Sequence, residues 1–186
     1  DRTVAVSVDS QPIKMLRYTA KKYSVAVSFG YYELCGEAIY SSYMFIGKNG
    51  EIVNNFRRVS KGWKEYDITD EHYKEGDGFK TFTYMGKRIA LAVCGDLWYE
   101  ENIEQINKEK FDFLLYPVYV TYNTEMWRTK LVNEYAEQAK KIPRPVFLVN
   151  SICDADNTRG GCYAFLNGKT VCEVPMGQDG YLLVRV

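Results

Sequence analysis

Histidine is nearly missing from this chain of 186 residues: His72 is the only one. Any Ser-His-Asp or Cys-His catalysis, and any His-rich metal site, would have to run through that single side chain. Charge of one sign is missing too. Twenty-four Lys and Arg balance 24 Asp and Glu, so nothing points to a nucleic-acid groove or to an anionic membrane surface. The longest apolar runs fall far short of the ~20 residues that span a bilayer, and no secretory leader pattern opens the sequence. Cysteine is present but unpatterned. Cys35, Cys94, Cys153, Cys162 and Cys172 are odd in number and contain no C-x-x-C pair, which disfavours a disulfide framework and a structural zinc site. The expected setting is reducing and cytoplasmic. The first residue is Asp1 rather than Met, from which we expect sequence upstream.

What is present reads as one domain over 1–186, without linker, repeat or low-complexity stretch. Residues 13–23 suit a short helix, with Ile13, Leu16, Ala20 and Tyr23 spaced for one face. Residues 24–33 are β-rich. Residues 39–46 and 51–59 flank Asn49-Gly50, and 79–84 and 88–93 flank Met85-Gly86. Both pairs read as hairpins. Residues 100–110 suit a helix, 111–117 a buried strand, and 124–141 a longer helix that stops before Pro143. Strands are expected at 146–150, 163–166, 170–174 and 181–186, with Asn167-Gly168 as a third tight turn. Three hairpins exclude a purely parallel doubly wound sheet, so the architecture is mixed α/β, with helices covering sheets.

Residues 88–98, RIALAVCGDLW, carry the chemistry. An apolar run ends in Cys94, and Gly95-Asp96 then breaks the strand. A cysteine on a sharp turn after a strand presents its sulfur to a cleft, beside backbone N–H groups that can stabilise an oxyanion. Asp96 is expected to brace the turn through backbone hydrogen bonds.

This stretch resembles the cysteine motif of the carbon–nitrogen hydrolase (nitrilase/amidase) superfamily. Other landmarks follow in that family's order: Gly30-Tyr-Tyr-Glu33, Gly36 and Tyr40-Ser-Ser; Gly47-Lys-Asn-Gly50-Glu-Ile-Val and Phe56-Arg-Arg-Val; Glu71 to Gly76 and Asp77; Phe113-Leu-Leu-Tyr-Pro117; Trp127, Asn150, Gly160-Gly161-Cys-Tyr and Tyr181-Leu-Leu-Val-Arg-Val. The resemblance implies an αββα four-layer sandwich. It also implies hydrolysis of a small amide or nitrile through a cysteine thioester, no metal or organic cofactor, and a homo-oligomer. Cys94 would be the nucleophile. The family's lysine position falls on Arg58, with Lys61 and Lys64 as neighbouring candidates, and Glu71 matches a second, bracing glutamate. Trp98, Tyr119 and Trp127 are candidates to line the substrate pocket.

The family's general-base glutamate has no counterpart in the twelve residues before Ile13. The expectation is therefore that the first strand, helix and second strand of the fold are missing here, and that this chain alone turns over poorly. Glu33 matches a later landmark and reads as structural. The missing base and Arg58 also suit an alternative reading, a catalytically impaired relative with a binding or scaffolding role. A Cys-His hydrolase using His72 is a third.

Overall fold

The computed structural model describes residues 2–65, 67–154 and 157–186. The chain forms two compact units, Asp1–Gly78 and Phe79–Val186.

In the first unit, helix α1 (Gln11–Tyr23) starts with Pro12 in its first turn. It ends at Ser24, whose φ of 52° takes the chain out of the helix. Three strands follow, β1 (Val27–Cys35), β2 (Ala38–Ile46) and β3 (Ile52–Arg57), paired antiparallel in that order. The expected Asn49-Gly50 hairpin joins β2 to β3. Gly50 has φ 81°, and a Cβ there would lie 2.7 Å from the Arg17 carbonyl oxygen, so both backbone conformation and space require glycine. The buried stripe of α1 is narrower than expected. Ile13 and Ala20 pack on Met44 and Ile46, whereas Leu16 and Tyr23 are exposed. Arg17 takes the intervening position and donates Nε–H to the Gly50 carbonyl at 2.8 Å.

The second unit holds the larger sheet. It comprises β4 (Phe82–Tyr84), β5 (Lys87–Leu91), β6 (Phe113–Val118), β7 (Val146–Asn150), β10 (Cys162–Leu166) and β11 (Lys169–Val174). A separate small hairpin is formed by β8 (Ile152–Cys153) and β9 (Thr158–Arg159). The order across the large sheet is β11-β10-β7-β6-β5-β4. The central β5, β6 and β7 are parallel, and the flanking strands are antiparallel. Met85-Gly86 and Asn167-Gly168 have positive φ at both positions, as two-residue hairpin turns on twisted strands require.

Parallel neighbours need crossovers. Helix α2 (Glu100–Lys108) links β5 to β6. Helix α3, spanning residues 124–140, links β6 to β7 through a π-helical stretch at Trp127–Leu131. The core gathers alternate residues of the strands (Leu114, Tyr116, Val118, Val146, Leu148) against Ile103 and Ile106 of α2 and Tyr135, Ala136 and Ala139 of α3. The strand expected at 181–186 is not formed. Tyr181 and Leu183 are 81% and 84% exposed: the local alternation suits a strand, but no pairing of these residues is found.

Among the described residues no helix is long and apolar enough to cross a membrane, and no group of three or more His, Cys, Asp or Glu could hold a metal ion.

Candidate active site

Cys94 lies just beyond the carboxyl end of β5. The sheet continues briefly past the strand, since Ala92 N–H still donates to the Leu115 carbonyl at 3.2 Å. Val93 is extended (φ −112°, ψ 119°), and Cys94 then turns into the left-handed region at φ 49° as a short 3-10 helix, Cys94–Trp98, begins. A non-glycine residue held there costs ~1–2 kcal/mol, and such strain persists only where surrounding contacts impose it. Those contacts are visible. Asp96, fully buried, accepts the Val93 N–H on Oδ2 at 2.8 Å, and its own N–H donates to the Val93 carbonyl at 3.0 Å. The Asn102 side chain ties the Asp96 carbonyl to α2 at 3.1 Å. The Tyr116 hydroxyl donates to the Cys94 carbonyl at 2.6 Å. The Cys94 side chain is half-buried against the core, and all five cysteines are free.

The loop after β6 is fastened at the same end of the sheet. Asn150, buried at the end of β7, accepts Val120 N–H and donates to the Val120 and Gly160 carbonyls at 3.0–3.2 Å. Tyr119, on that loop, is 47% exposed. Trp98 is 42% exposed, its ring nearly perpendicular to that of Tyr135 with centroids 5.2 Å apart. Trp127 is enclosed by the core: it is 1% exposed, donates Nε1–H to the Tyr163 hydroxyl at 2.8 Å, and packs against Tyr135 at 4.9 Å. A cavity of about 320 Å³ lies elsewhere. It involves Lys87, Asp112 and Pro145, at the amino ends of the parallel strands, together with Phe147 and Val184. Open parallel sheets bind their ligands outside the carboxyl ends of the strands, the end at which the Cys94 elbow lies.

The other candidates belong to the first unit. Arg58 is buried. Its Nε–H donates to Ser60 Oγ at 2.7 Å and its Nη2 to the Lys61 carbonyl at 3.3 Å. Lys61 is exposed. Lys64 is held by the Tyr73 carbonyl at 2.7 Å and by Glu75 at 3.2 Å. Glu71 is exposed, so the carboxylate that meets Lys64 is that of Glu75, which the sequence did not single out. His72 faces Asp70 at 2.9 Å and Glu37 at 3.9 Å. Glu33 is 2% exposed and accepts two hydrogen bonds from Arg57 and one from Ser42, at 2.7–2.9 Å. Burial pushes its carboxyl up, but Arg57 and Ser42 together outweigh that and hold it below the usual range.

The carbon–nitrogen hydrolase family model matches residues 2–186. A citrullinase from Francisella tularensis is 26% identical over 120 residues, covering 61% of this chain and 41% of the relative. A bromoxynil-specific nitrilase from Klebsiella pneumoniae subsp. ozaenae is 30% identical over 107 residues, covering 58% and 29%. The match therefore spans less than half the length of these curated relatives. The fold is that of a point mutant of the amidase from Nesterenkonia sp., at a TM-score of 0.70 and 15% identity, covering 88% of this chain and 62% of that one; that structure shows covalent addition of the acetamide moiety of fluoroacetamide at the active site cysteine. On the match of its elements and of nearly its whole length, this chain belongs to the carbon–nitrogen hydrolase family.

Proposed function

We propose that this chain carries the nucleophile-bearing part of a hydrolase of small, non-peptide amides or nitriles, with Cys94 forming a thioester to the acyl group. The observation that carries the reading is the left-handed Cys94 (φ 49°) at a turn braced by Asp96 and Tyr116. Ser24, Met85 and Asn167 are left-handed where a helix ends or a hairpin turns, whereas Cys94 is left-handed just beyond a buried strand of the parallel sheet, where glycine would sit at lower cost.

With an amide, Cys94 Sγ attacks the carbonyl carbon and the carbonyl oxygen becomes an oxyanion, which backbone N–H groups at the start of the 3-10 turn can receive. The C–N bond then breaks, and the amine leaves with a proton. Water cleaves the thioester and regenerates the thiol. The thiol proton needs a base that can hand it to the leaving amine. Glu33 is unsuited, because its carboxylate is committed to Arg57 and Ser42. The family resemblance gives that role to another glutamate. In this account Trp98 and Tyr119 contact the substrate, and the protein works as a homo-oligomer without a cofactor.

The test is turnover of a panel of simple amides and nitriles by the protein and by its Cys94→Ala variant. Release of ammonia or amine that disappears in the variant supports the reading. Turnover that survives Cys94→Ala overturns it. Tight binding of such compounds without turnover, with Cys94 unmodified, would favour a binding role.

A further inference from the structure

The Tyr116 hydroxyl is the one polar group of a strand that is otherwise apolar, FLLYPV, and it is spent on the carbonyl of Cys94, 22 residues away, at 2.6 Å. We infer that Tyr116 is a positioning residue for the oxyanion: by holding the Cys94 carbonyl, it fixes the plane of the Cys94–Gly95 peptide and so the direction of the Gly95 N–H. This rests on the proposed role of Cys94.

The geometry follows from the peptide group itself. Among the described residues no peptide bond is cis, and in a planar trans peptide the C=O and the following N–H point in opposite directions. A carbonyl drawn toward Tyr116, on the core side of β6, therefore turns the Gly95 N–H away from the core. That N–H belongs to the residue after the nucleophile, which is the donor that strand-to-helix elbows use for a developing oxyanion. Without an anchor this peptide could rotate, because Cys94 already sits in a sparsely populated backbone region (φ 49°). Tyr116 is itself rigid. It is fully buried, its ring lies 6.1 Å from that of Tyr135, and burial pushes its hydroxyl well above the ordinary tyrosine value, with nearby Tyr135 and Cys94 adding to the effect and a hydrogen bond to the Trp98 side chain opposing it. The hydroxyl thus stays protonated, and stays a donor, across the neutral and moderately alkaline range.

Two cysteine reagents separate this role from a merely structural one. p-Nitrophenyl acetate reacts when Sγ attacks its carbonyl carbon: the carbonyl oxygen becomes an oxyanion on the attacked carbon, p-nitrophenolate then leaves, and the thiol proton passes to solvent. Methyl methanethiosulfonate reacts by attack of Sγ on sulfur with departure of methanesulfinate, and no carbonyl oxyanion develops. Rates are read as the acetyl or methylthio adduct on the Cys94 peptide of acid-quenched samples, with the exposed Cys35 as internal reference. Tyr116→Phe should slow acetylation of Cys94 by at least ~10-fold, below the ~10²–10³ that removal of an oxyanion donor costs, while the thiosulfonate rate changes less than ~2-fold. Equal slowing of both reagents, or of neither, overturns the inference. If Tyr116→Phe does not fold, 4-fluorophenylalanine at 116, which fills the hydroxyl's space and cannot donate, serves instead, and the same two outcomes support or overturn the inference. If wild-type Cys94 is no more reactive than Cys35 toward either reagent, the nucleophile assignment itself fails, and this inference with it.

Discussion

Exchanging Cys94 for alanine and for glycine gives the sharpest structural prediction, because the two variants lose the same sulfur and differ only in what the backbone tolerates. At an ordinary position, glycine is less stable than alanine by ~0.5–1 kcal/mol, since its unfolded chain has more freedom to lose. At φ 49° alanine keeps the left-handed penalty of ~1–2 kcal/mol and glycine does not. The two effects oppose each other, and the larger wins: Cys94→Gly should be more stable than Cys94→Ala by about 0.5–1 kcal/mol. For a chain of this size that corresponds to ~1–4 °C in Tm. Urea or thermal unfolding of the two variants, followed by circular dichroism under identical conditions, measures the difference. A parallel Ala/Gly pair at Ala136, in the middle of α3, should show the opposite sign and calibrates the method. If Cys94→Ala is the more stable by the usual margin, the elbow is not strained, and the observation that carries the functional proposal is lost.

Three further outcomes are expected. Glu33 is held below its ordinary value by Arg57 and Ser42 against the pull of burial, so its contribution is present above the unfolded-state value of ~4.3 and is lost as pH falls below it. Arg57→Met removes the largest lowering influence and leaves the Ser42 hydrogen bond against burial, so the stability that the wild type loses as pH falls below ~4.3 should shrink in the variant; parallel pH profiles for variant and wild type would contradict this. Lys64 is held by the Tyr73 carbonyl and by Glu75 whereas Lys61 is exposed, so Lys64→Met should lower stability by ~1–2 kcal/mol and Lys61→Met by less than ~0.5 kcal/mol, and equal losses in urea unfolding would contradict this. Trp127→Phe should cost about 2 kcal/mol through the lost bond to Tyr163 and the space left behind with KM little changed, whereas Trp98→Ala should raise KM about tenfold; equal KM effects would put both rings in the pocket.

The hairpins were readable because Asn-Gly and Met-Gly turns are set by two residues, and the observed positive φ values at Met85-Gly86 and Asn167-Gly168 are what those residue types allow. The Cys94 turn was readable for the same local reason: an apolar run stopped by Gly95-Asp96. Features that depend on distant partners were harder to see. Periodicity alone does not say that Arg17 rather than Leu16 completes the buried stripe of α1, because that depends on the Gly50 carbonyl waiting across the unit. The alternation of residues 181–186 suits a strand, but a strand also needs a neighbour. Trp127 was a candidate pocket wall by residue type, and its enclosure depends on Tyr135 and Tyr163. The partners of Tyr116, and the pairing of Lys64 with Glu75, likewise involve residues that sequence spacing does not bring together. For Tyr116 there was one available signal: a hydroxyl inside an apolar strand must find a partner.

The most direct test of the central claim is to mix the protein with amide substrates, quench within the turnover time, and weigh the intact chain. An acyl adduct should form that maps to Cys94, is released by hydroxylamine as a thioester should be, and is absent from Cys94→Ala. Turnover with no adduct at any quench time, or an adduct on another residue, would contradict it.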